Sequence, residues 1–166
     1  MIERSLVLLK PDAVQRGLMG RIISRFENVG LKLIGCKMVW MDKDLSWKHY
    51  EEIGKVASRR GEPVLKRMLK FMTSGPVLAL CWEGVGAVEI VRKMVGSTEP
   101  KAALPGTIRG DFAHVSYAYA DSKDLGIKNL IHASGSIDDA KLEVALWFKE
   151  EELHSYKNNN NVHIFE

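Results

Sequence analysis

Six consecutive apolar residues at positions 77–82 restrict the fold of this chain more than any other segment. The run is far shorter than the roughly 20 residues of a membrane span, and Ser74-Gly75-Pro76 breaks the chain just before it. A strand that is apolar at every position needs cover on both faces, so it belongs in the middle of a sheet. The apolar run at residues 5–9, which stops at Lys10-Pro11-Asp12, predicts a second strand of this kind.

Helical and strand patterns fill the rest of the chain. Helices are predicted in five segments, namely residues 18–29, 46–53, 64–73, 87–95 and the segment that Ser136 opens with a Ser-x-x-acid capping box. Ser46 is expected to cap the second helix, and residues 54–62 are expected to form a loop or irregular helix. Residues 31–40 and 130–131 predict two more strands.

The order of these elements predicts the fold class. Alternating strands and helices predict an α/β (α+β) fold of the ferredoxin-like type, a four-stranded antiparallel sheet with helices packed against one face. A chain of 166 residues and 18.7 kDa suits one core, so residues 1–166 are predicted to form a single domain.

Charge and targeting signals narrow the possible partners. A net charge of +3 is too small to indicate nucleic-acid or membrane binding by itself. No apolar run is long enough to span a bilayer, and the first residues lack the features of a signal peptide. No membrane association is expected, and a cytoplasmic location follows most simply.

His132 is the strongest candidate for a reactive group, because a neutral imidazole can attack a phosphoryl group. A lone histidine near a strand end is more often structural. Glu143, however, lies eleven residues later, about two turns into the following helix, and could fold back beside the ring. A carboxylate there would fix the tautomer and stabilise developing positive charge. The alternative is that Glu143 lies on a solvated helix face.

Basic side chains could supply the charge that phosphate chemistry needs. Lys10 follows a buried strand, so its ammonium either reaches solvent or points into a cleft at the end of the sheet. Arg92 and Arg109 carry planar guanidinium groups that suit phosphate oxygens, although Asp111 could instead pair with Arg109 in a structural role. Phosphoryl transfer depends mainly on such charge neutralisation and on positioning.

Other polar residues are open to two interpretations. Thr98 and Ser134 could donate hydroxyl hydrogen bonds in a site, or cap helices and contact solvent, and Tyr50 could belong to the core. The chain has no P-loop and no cluster with the sequence spacing of metal ligands, so no metal-binding residues are predicted. Any Mg²⁺ is expected to arrive with a nucleotide.

Several long motifs resemble the nucleoside diphosphate kinase family, in the right order and over nearly all of the chain. They are Leu9-Lys10-Pro11-Asp12, Ser74-Gly75-Pro76-Val77, Pro105-Gly106-Thr107-Ile108-Arg109-Gly110-Asp111-Phe112 and Asn129-Leu130-Ile131-His132-Ala133-Ser134. The resemblance implies a nucleoside-diphosphate kinase that moves the γ-phosphate of a nucleoside triphosphate to a nucleoside diphosphate. It implies a ping-pong mechanism with phosphorylation of His132, and a role in maintaining nucleotide pools.

The resemblance also assigns residue roles. Glu143 would orient the histidine, and Ser134 would sit beside it. Contacts to phosphate, ribose or other active-site groups would come from Lys10, Tyr50, Arg92, Thr98, Arg109 and Asn129. The family further implies little base preference and a homo-oligomer, hexameric or tetrameric.

Three departures from the family pattern concern the surroundings of the site. Ala133 and Gly135 stand where glycine and aspartate are commonest. Residues 51–70 are about six residues longer than usual, and Val64 matches the base-stacking phenylalanine, which predicts weaker nucleotide binding or a substitute contact. Residues 113–128 are about ten residues longer, and there Tyr117 or Tyr119 could replace the stacking group or simply pack.

Two other classes of function are possible. The chain could be a catalytically impaired nucleotide-binding or interaction protein of the same family. It could also be an RNA-binding module, since ferredoxin-like sheets build such domains. The basic and aromatic strand motif of those modules is missing, so no specific nucleic acid is expected as a partner.

Overall fold

The computed structural model describes residues 1–164, in which four strands form one antiparallel sheet. The strands are β1 (Ile2–Leu9), β2 (Lys32–Trp40), β3 (Pro76–Val85) and β4 (Ile131–Ala133), in the order β2-β3-β1-β4. All pairings are antiparallel, which confirms the predicted ferredoxin-like sheet and the central position of the apolar run at 77–82. The last two residues of the predicted domain, 165–166, lie outside the described residues.

Helices connect the strands and flank them. Before β3 they are α1 (Pro11–Gln15), α2 (Met19–Asn28), α3 (Lys43–Trp47), a π-helix (Lys48–Ile53), α4 (Val56–Arg60) and α5 (Glu62–Met72). After β3 they are α6 (Ala87–Val95), α7 (Ile108–Phe112), α8 (Tyr117–Ser122), α9 (Ile137–Trp147) and α10 (Asn161–Ile164), with 3₁₀ turns at Pro100–Ala102 and Glu150–Glu152. Among residues 1–164, no helix combines the length and apolar character needed to cross a bilayer.

Helices cover both faces of the sheet, so the prediction of helices against one face is wrong. Along β1, Val7 and Leu9 pack in a core with α2 and α6, whereas Leu6 and Leu8 pack in a second core with α5 and α9. In a simple ferredoxin-like fold, the second face of the sheet has no helices packed on it. Here the helices between β2 and β3 pack on that face. This second layer explains why β3 is apolar on both of its faces.

Two local predictions about helix starts had different outcomes. Ser136 caps α9 as predicted, since its hydroxyl oxygen accepts a hydrogen bond from the Asp139 backbone N–H. Ser46 does not cap a helix, because α3 begins earlier, where the Asp42 carboxylate accepts from the Leu45 backbone N–H at 2.8 Å. An acid at the N-cap satisfies a free backbone donor as well as serine does. The segment expected to be a loop or irregular helix contains the short helix α4.

Candidate active site

A cleft of about 670 Å³ opens at the end of the sheet where β1 leads into Lys10 and β4 begins. Its volume lies in the usual range for small-molecule sites. The predicted site residues that line it are Lys10, Tyr50, Val64, Arg92, Thr98, Arg109, Asn129, His132 and Glu143. Ser134 is buried outside the lining and contacts Glu143. The structure therefore brings the predicted residues together, while their chemical roles stay predictions.

Sheet register places His132 beside α9. His132 pairs with Leu8 of β1, and residues paired across strands point to the same face, so His132 faces the core that α9 covers. Glu143 lies on the buried side of α9, one turn before Trp147. Its Oε1 is 2.8 Å from His132 Nε2. The solvated-face alternative for Glu143 is therefore wrong.

Ser134 contacts the other oxygen of the Glu143 carboxylate. Its hydroxyl donates to Glu143 Oε2 at 2.6 Å and its oxygen accepts from the Leu6 backbone N–H at 3.0 Å. Both carboxylate oxygens of Glu143 are thus bonded. With Nε2 of His132 donating to the carboxylate, the lone pair lies on Nδ1, which has no hydrogen-bond partner among residues 1–164.

The charge of Glu143 is stabilised by its neighbours. Burial alone would raise the pKa of this carboxyl group, but the charge of His132 and the hydrogen bonds from His132 and Ser134 outweigh burial and lower the pKa to about 2. Glu143 is therefore ionised at all pH values at which the protein would work. A fixed negative charge at this position can stabilise positive charge that develops on the imidazole.

A strained turn sets the position of His132. The Ile131 N–H bonds to the Asn129 carbonyl at 2.8 Å, forming a γ-turn in which Leu130 has a φ of +68°. A non-glycine residue in this region costs about 1–3 kcal/mol and persists only where its surroundings hold it. Here the Asp12 carboxylate accepts from the Leu130 N–H at 3.0 Å, the Lys10 N–H donates to the Leu130 carbonyl at 2.8 Å, and the leucine side chain is fully buried.

Arg109 holds the same turn from the other side. Its guanidinium donates to the carbonyls of Asn129 (3.1 Å), Gly96 (3.0 Å) and Ile131 (2.5 Å). Burial is the main cause that lowers its pKa, to about 10, so the group remains charged near neutral pH. Three of its five N–H groups are committed to these carbonyls, which leaves two for a ligand. Asp111, the alternative partner that the sequence offers for Arg109, pairs instead with Arg25 at 2.5 Å.

Lys10 points into the cleft rather than to solvent. The residue is 5% exposed, and its Nζ donates to Asn129 Oδ1 at 2.8 Å. The Asn129 amide in turn donates to the Thr98 carbonyl at 2.8 Å, which ties the loop after α6 to the turn before β4. Burial, and next the charge of Arg109, lower the pKa of Lys10 to about 7. An anion in the cleft would favour the protonated form of this amine.

Other predicted residues line the cleft without strong partners. The hydroxyl of buried Tyr50 has no hydrogen-bond partner among residues 1–164, and burial raises its pKa. Arg92 and Thr98 are exposed, and Arg92 forms no ion pair within the described part of the chain. Val64 and Tyr117 line the cleft, whereas Tyr119 is 58% exposed and lies outside its lining.

Gly135 lies next to the first turn of α9. A Cβ atom on this residue would lie 2.8 Å from the Asp139 carboxylate, which itself lines the cleft. The carboxylate is the end of a flexible side chain, so it would have to turn aside to admit a Cβ. An acidic group therefore still lies next to this position, although it comes from the first turn of α9 instead of from residue 135.

Sequence reasoning missed His49, which lies in the π-helix and is 1% exposed. Its ring meets the rings of His132 and Tyr50 edge to face, each with centroids 4.6 Å apart, and its Nδ1 accepts from Trp147 Nε1 at 3.2 Å. Burial first, and then His132, lower its pKa to about 3, so the ring stays neutral. The only sequence signal was its position next to Tyr50. That signal is weak, because adjacent residues of an α-helix point about 100° apart and therefore face different neighbours.

The rings and carboxylate also form a possible metal cluster. Ligand atoms of His49, His132 and Glu143 lie within 4.8 Å of one another. Because His49 Nδ1 accepts from Trp147, the ring hydrogen is on Nε2. A metal bound at Nε2 would displace that hydrogen to Nδ1. The N–H groups of His49 Nδ1 and Trp147 Nε1 would then face each other. This arrangement favours positioning of the His132 ring over metal coordination.

Comparisons with known proteins point to one family. A family model described as nucleoside diphosphate kinase matches residues 3–153. A nucleoside diphosphate kinase of Pyrococcus horikoshii is 52% identical over 155 residues, covering 93% of this chain and 90% of the relative. The matched range includes the whole sheet except its first residue, and every residue of the cleft.

Solved structures agree. A transition state mimic of the nucleoside-diphosphate kinase from Borrelia burgdorferi, with bound vanadate and ADP, has a TM-score of 0.96 at 43% identity and covers 99% of this chain and 97% of that chain. A halophilic nucleoside diphosphate kinase from Halobacterium salinarum in complex with CDP has a TM-score of 0.84 at 39% identity, with 100% of each chain covered. The similarity therefore extends to the complete fold.

Proposed function

The chain belongs to the nucleoside diphosphate kinase family, and we propose that it transfers the γ-phosphate of a nucleoside triphosphate to a nucleoside diphosphate through a phosphohistidine at His132. The observation that carries this proposal is the 2.8 Å contact between His132 Nε2 and Glu143 Oε1. It leaves the lone pair of Nδ1 available to a substrate in the cleft. The structure of the Borrelia relative is a transition state mimic with bound vanadate and ADP, which is consistent with phosphoryl transfer.

The proposed reaction has two half-reactions. In the first, Nδ1 forms a bond to the γ-phosphorus as the bond to the bridging oxygen breaks, and the nucleoside diphosphate leaves with that oxygen. The proton on Nε2 stays there, and Glu143 stabilises the positive charge of the ring. In the second, a terminal phosphate oxygen of another diphosphate attacks the phosphorus, and the nitrogen–phosphorus bond breaks.

Other residues of the cleft would stabilise and position the phosphates. Lys10, Arg92 and the two uncommitted N–H groups of Arg109 would neutralise phosphate charge. The unpartnered hydroxyl of Tyr50 would donate to the transferred group. Contacts at the mouth would come from Thr98 and Val64, while Asn129 would orient Lys10, and Ser134 would hold Glu143 in place.

The cleft fits Mg²⁺ that is bound to the nucleotide rather than to the protein. Of the three carboxylates among residues 1–164 that line it, two are occupied, since Glu143 bonds His132 and Ser134, and Asp121 pairs with Arg67 at 2.9 Å, while Asp139 lies beside Gly135. Mg²⁺ keeps several waters and takes phosphate oxygens readily. When bound in this way, the ion would neutralise charge on the phosphates, and no protein ligand is proposed for it.

We also propose the wider properties that the family implies. These are assembly into a hexamer or tetramer, maintenance of nucleotide pools in the cytoplasm, and a single domain over residues 1–166. Mass measurement in solution at several protein concentrations tests the assembly, and a monomeric mass throughout would contradict it.

The ping-pong mechanism predicts a phosphoenzyme that is chemically competent. Protein incubated with γ-³²P-labelled nucleoside triphosphate and then freed of nucleotide should carry label on His132. Adding an unlabelled diphosphate with a different base should move that label into the corresponding triphosphate within one turnover time. Label that hydrolyses to inorganic phosphate without appearing in a nucleotide would contradict the proposed transfer.

The lowered pKa of Lys10 predicts that the protein takes up a proton when it binds a nucleotide. In the free protein the pKa of Lys10 is lowered to about 7, so above that pH the amine is mostly neutral. Bound phosphates favour the charged form, so affinity should fall as pH rises through this range, and up to about one proton should be taken up per nucleotide near pH 8. Titration calorimetry in buffers of different ionisation enthalpy measures this uptake. Equal uptake by the wild type and Lys10→Met would contradict the assignment.

A further inference from the structure

Residues 51–70 and 113–128, the two enlarged segments that the family resemblance marks as longer than usual, contact each other in the lining of the cleft. Arg67 of α5 pairs with Asp121 at 2.9 Å and with Asp124 at 3.2 Å. At the start of α8, the Tyr117 N–H donates to Glu99 Oε1 at 2.8 Å. These contacts hold α8 against α5 and against the loop after α6, so the position of Tyr117 is fixed by neighbours on two sides.

Arg60 and Tyr117 form a second contact between the two segments. Arg60 Nη1 donates to the Tyr117 hydroxyl oxygen at 3.2 Å, and the guanidinium carbon lies 5.9 Å from the centre of the tyrosine ring. Both residues line the cleft. Within residues 1–164, no carboxylate pairs with Arg60, and the hydroxyl of Tyr117 donates no hydrogen bond. The positive charge of Arg60 is therefore not neutralised by a carboxylate of this part of the chain, and the hydroxyl hydrogen of Tyr117 is available to a ligand.

The electrostatics place this pair near the phosphate-binding cations. Burial is the main cause that lowers the pKa of Lys10, but the charge of Arg60 contributes. For Arg109, burial again dominates, Tyr117 raises the pKa and Arg60 lowers it. Such effects fall off within about 10 Å in salt. Arg60 and Tyr117 thus lie close to the group of cations that would bind phosphate.

We propose that Arg60 and Tyr117 form a clamp that binds the phosphate chain of the nucleotide and that is built from the two enlarged segments. The Tyr117 hydroxyl accepts from Arg60 and donates its own hydrogen to a phosphate oxygen, and the guanidinium neutralises phosphate charge. This inference rests on the proposed function. It gives Tyr117 a phosphate contact in place of the base-stacking role that the sequence left open for it.

Nucleotide affinities of Tyr117→Phe and Arg60→Gln test the clamp, with Tyr119→Phe as the matched control. Dissociation constants for ADP, GDP and CDP are measured by titration calorimetry. We expect affinity to fall roughly 3- to 10-fold for Tyr117→Phe and about 10-fold or more for Arg60→Gln. The loss should be equal for the three bases, because each carries the same phosphates. Tyr119→Phe should bind as the wild type does.

The pattern across bases separates the clamp from stacking. A loss that is large for ADP and GDP but small for CDP would indicate a base contact and overturn the clamp, as would unchanged affinity in both variants. Thermal unfolding of each variant controls for misfolding. The Tyr117→Phe variant keeps the aromatic ring, so it removes only the hydroxyl group. Phosphohistidine formation by the wild type is measured in parallel. Its absence would overturn the proposed function, while the affinities would still decide the clamp.

Discussion

Replacing His132 with glutamine is expected to lower kcat by roughly 10⁴-fold or more, because the variant has no group that can form the phosphoenzyme. Glutamine is similar in size and can still bond Glu143, so the cleft should keep its shape. Nucleotide affinity should change less than about 3-fold, since Lys10, Arg92 and Arg109 would supply the phosphate contacts. Steady-state kinetics and calorimetric titration with a diphosphate measure the two quantities separately.

The matched control for this variant is His114→Gln. His114 is exposed and lies outside the cleft lining, so its replacement should leave kcat and affinity unchanged. Turnover by His132→Gln within 10-fold of the wild type would mean that the nucleophile is another residue or that phosphate passes directly between nucleotides. Loss of nucleotide binding together with kcat would instead point to a damaged cleft.

Glu143→Gln is expected to lower kcat by roughly 10²- to 10⁴-fold with little change in nucleotide affinity. The amide removes the negative charge that would stabilise the phosphorylated ring. It can also donate a hydrogen bond to His132 Nε2, which would move the ring proton to Nδ1 and block the attacking lone pair. The rate of phosphoenzyme formation in a single turnover should fall as much as kcat does.

A suitable control is Glu150→Gln, because Glu150 is an exposed carboxylate just beyond α9. Phosphoenzyme formation by Glu143→Gln at nearly the wild-type rate would show that the carboxylate does not orient the nucleophile. A fall in melting temperature alone would support only a structural role for the buried network of Glu143, His132 and Ser134.

Periodicity and capping explain why much of the fold was predictable. The apolar runs marked β1 and β3, and Ser136 fixed the start of α9. The structure places Glu143 among the buried residues Ala140, Val144 and Trp147 of α9, although the sequence had left a solvated position open for it. A buried carboxylate needs a partner, and the histidine at the end of the nearby strand is the natural one.

The second helical layer was harder to predict, because its residues do not keep one period. Between β2 and β3, α3 leads directly into a π-helix, and α4 has only five residues. The wider turn of a π-helix shifts side chains away from the positions that an α-helical pattern predicts. His49 lies in this π-helix and is buried against His132, and no apolar pattern in the local sequence indicates that position.

Contacts between distant residues account for the rest of the site. Lys10 and Asn129 are 119 positions apart, and Arg60 and Tyr117 are 57 apart. The positive φ of Leu130 is also invisible in the sequence, because leucine is not a residue that favours the left-handed region. Such a conformation depends on Asp12, Lys10 and Arg109, which only the folded chain brings to the turn.

Identification of the phosphorylated atom is the decisive measurement. The wild type is labelled with a γ-³²P nucleoside triphosphate, digested at alkaline pH, and its phosphohistidine isomer is determined by chromatography against standards. Because His132 Nε2 contacts Glu143 at 2.8 Å, we predict acid-labile, alkali-stable phosphate on Nδ1 of His132. Phosphate on Nε2, on another residue, or no label at all would contradict the proposed mechanism.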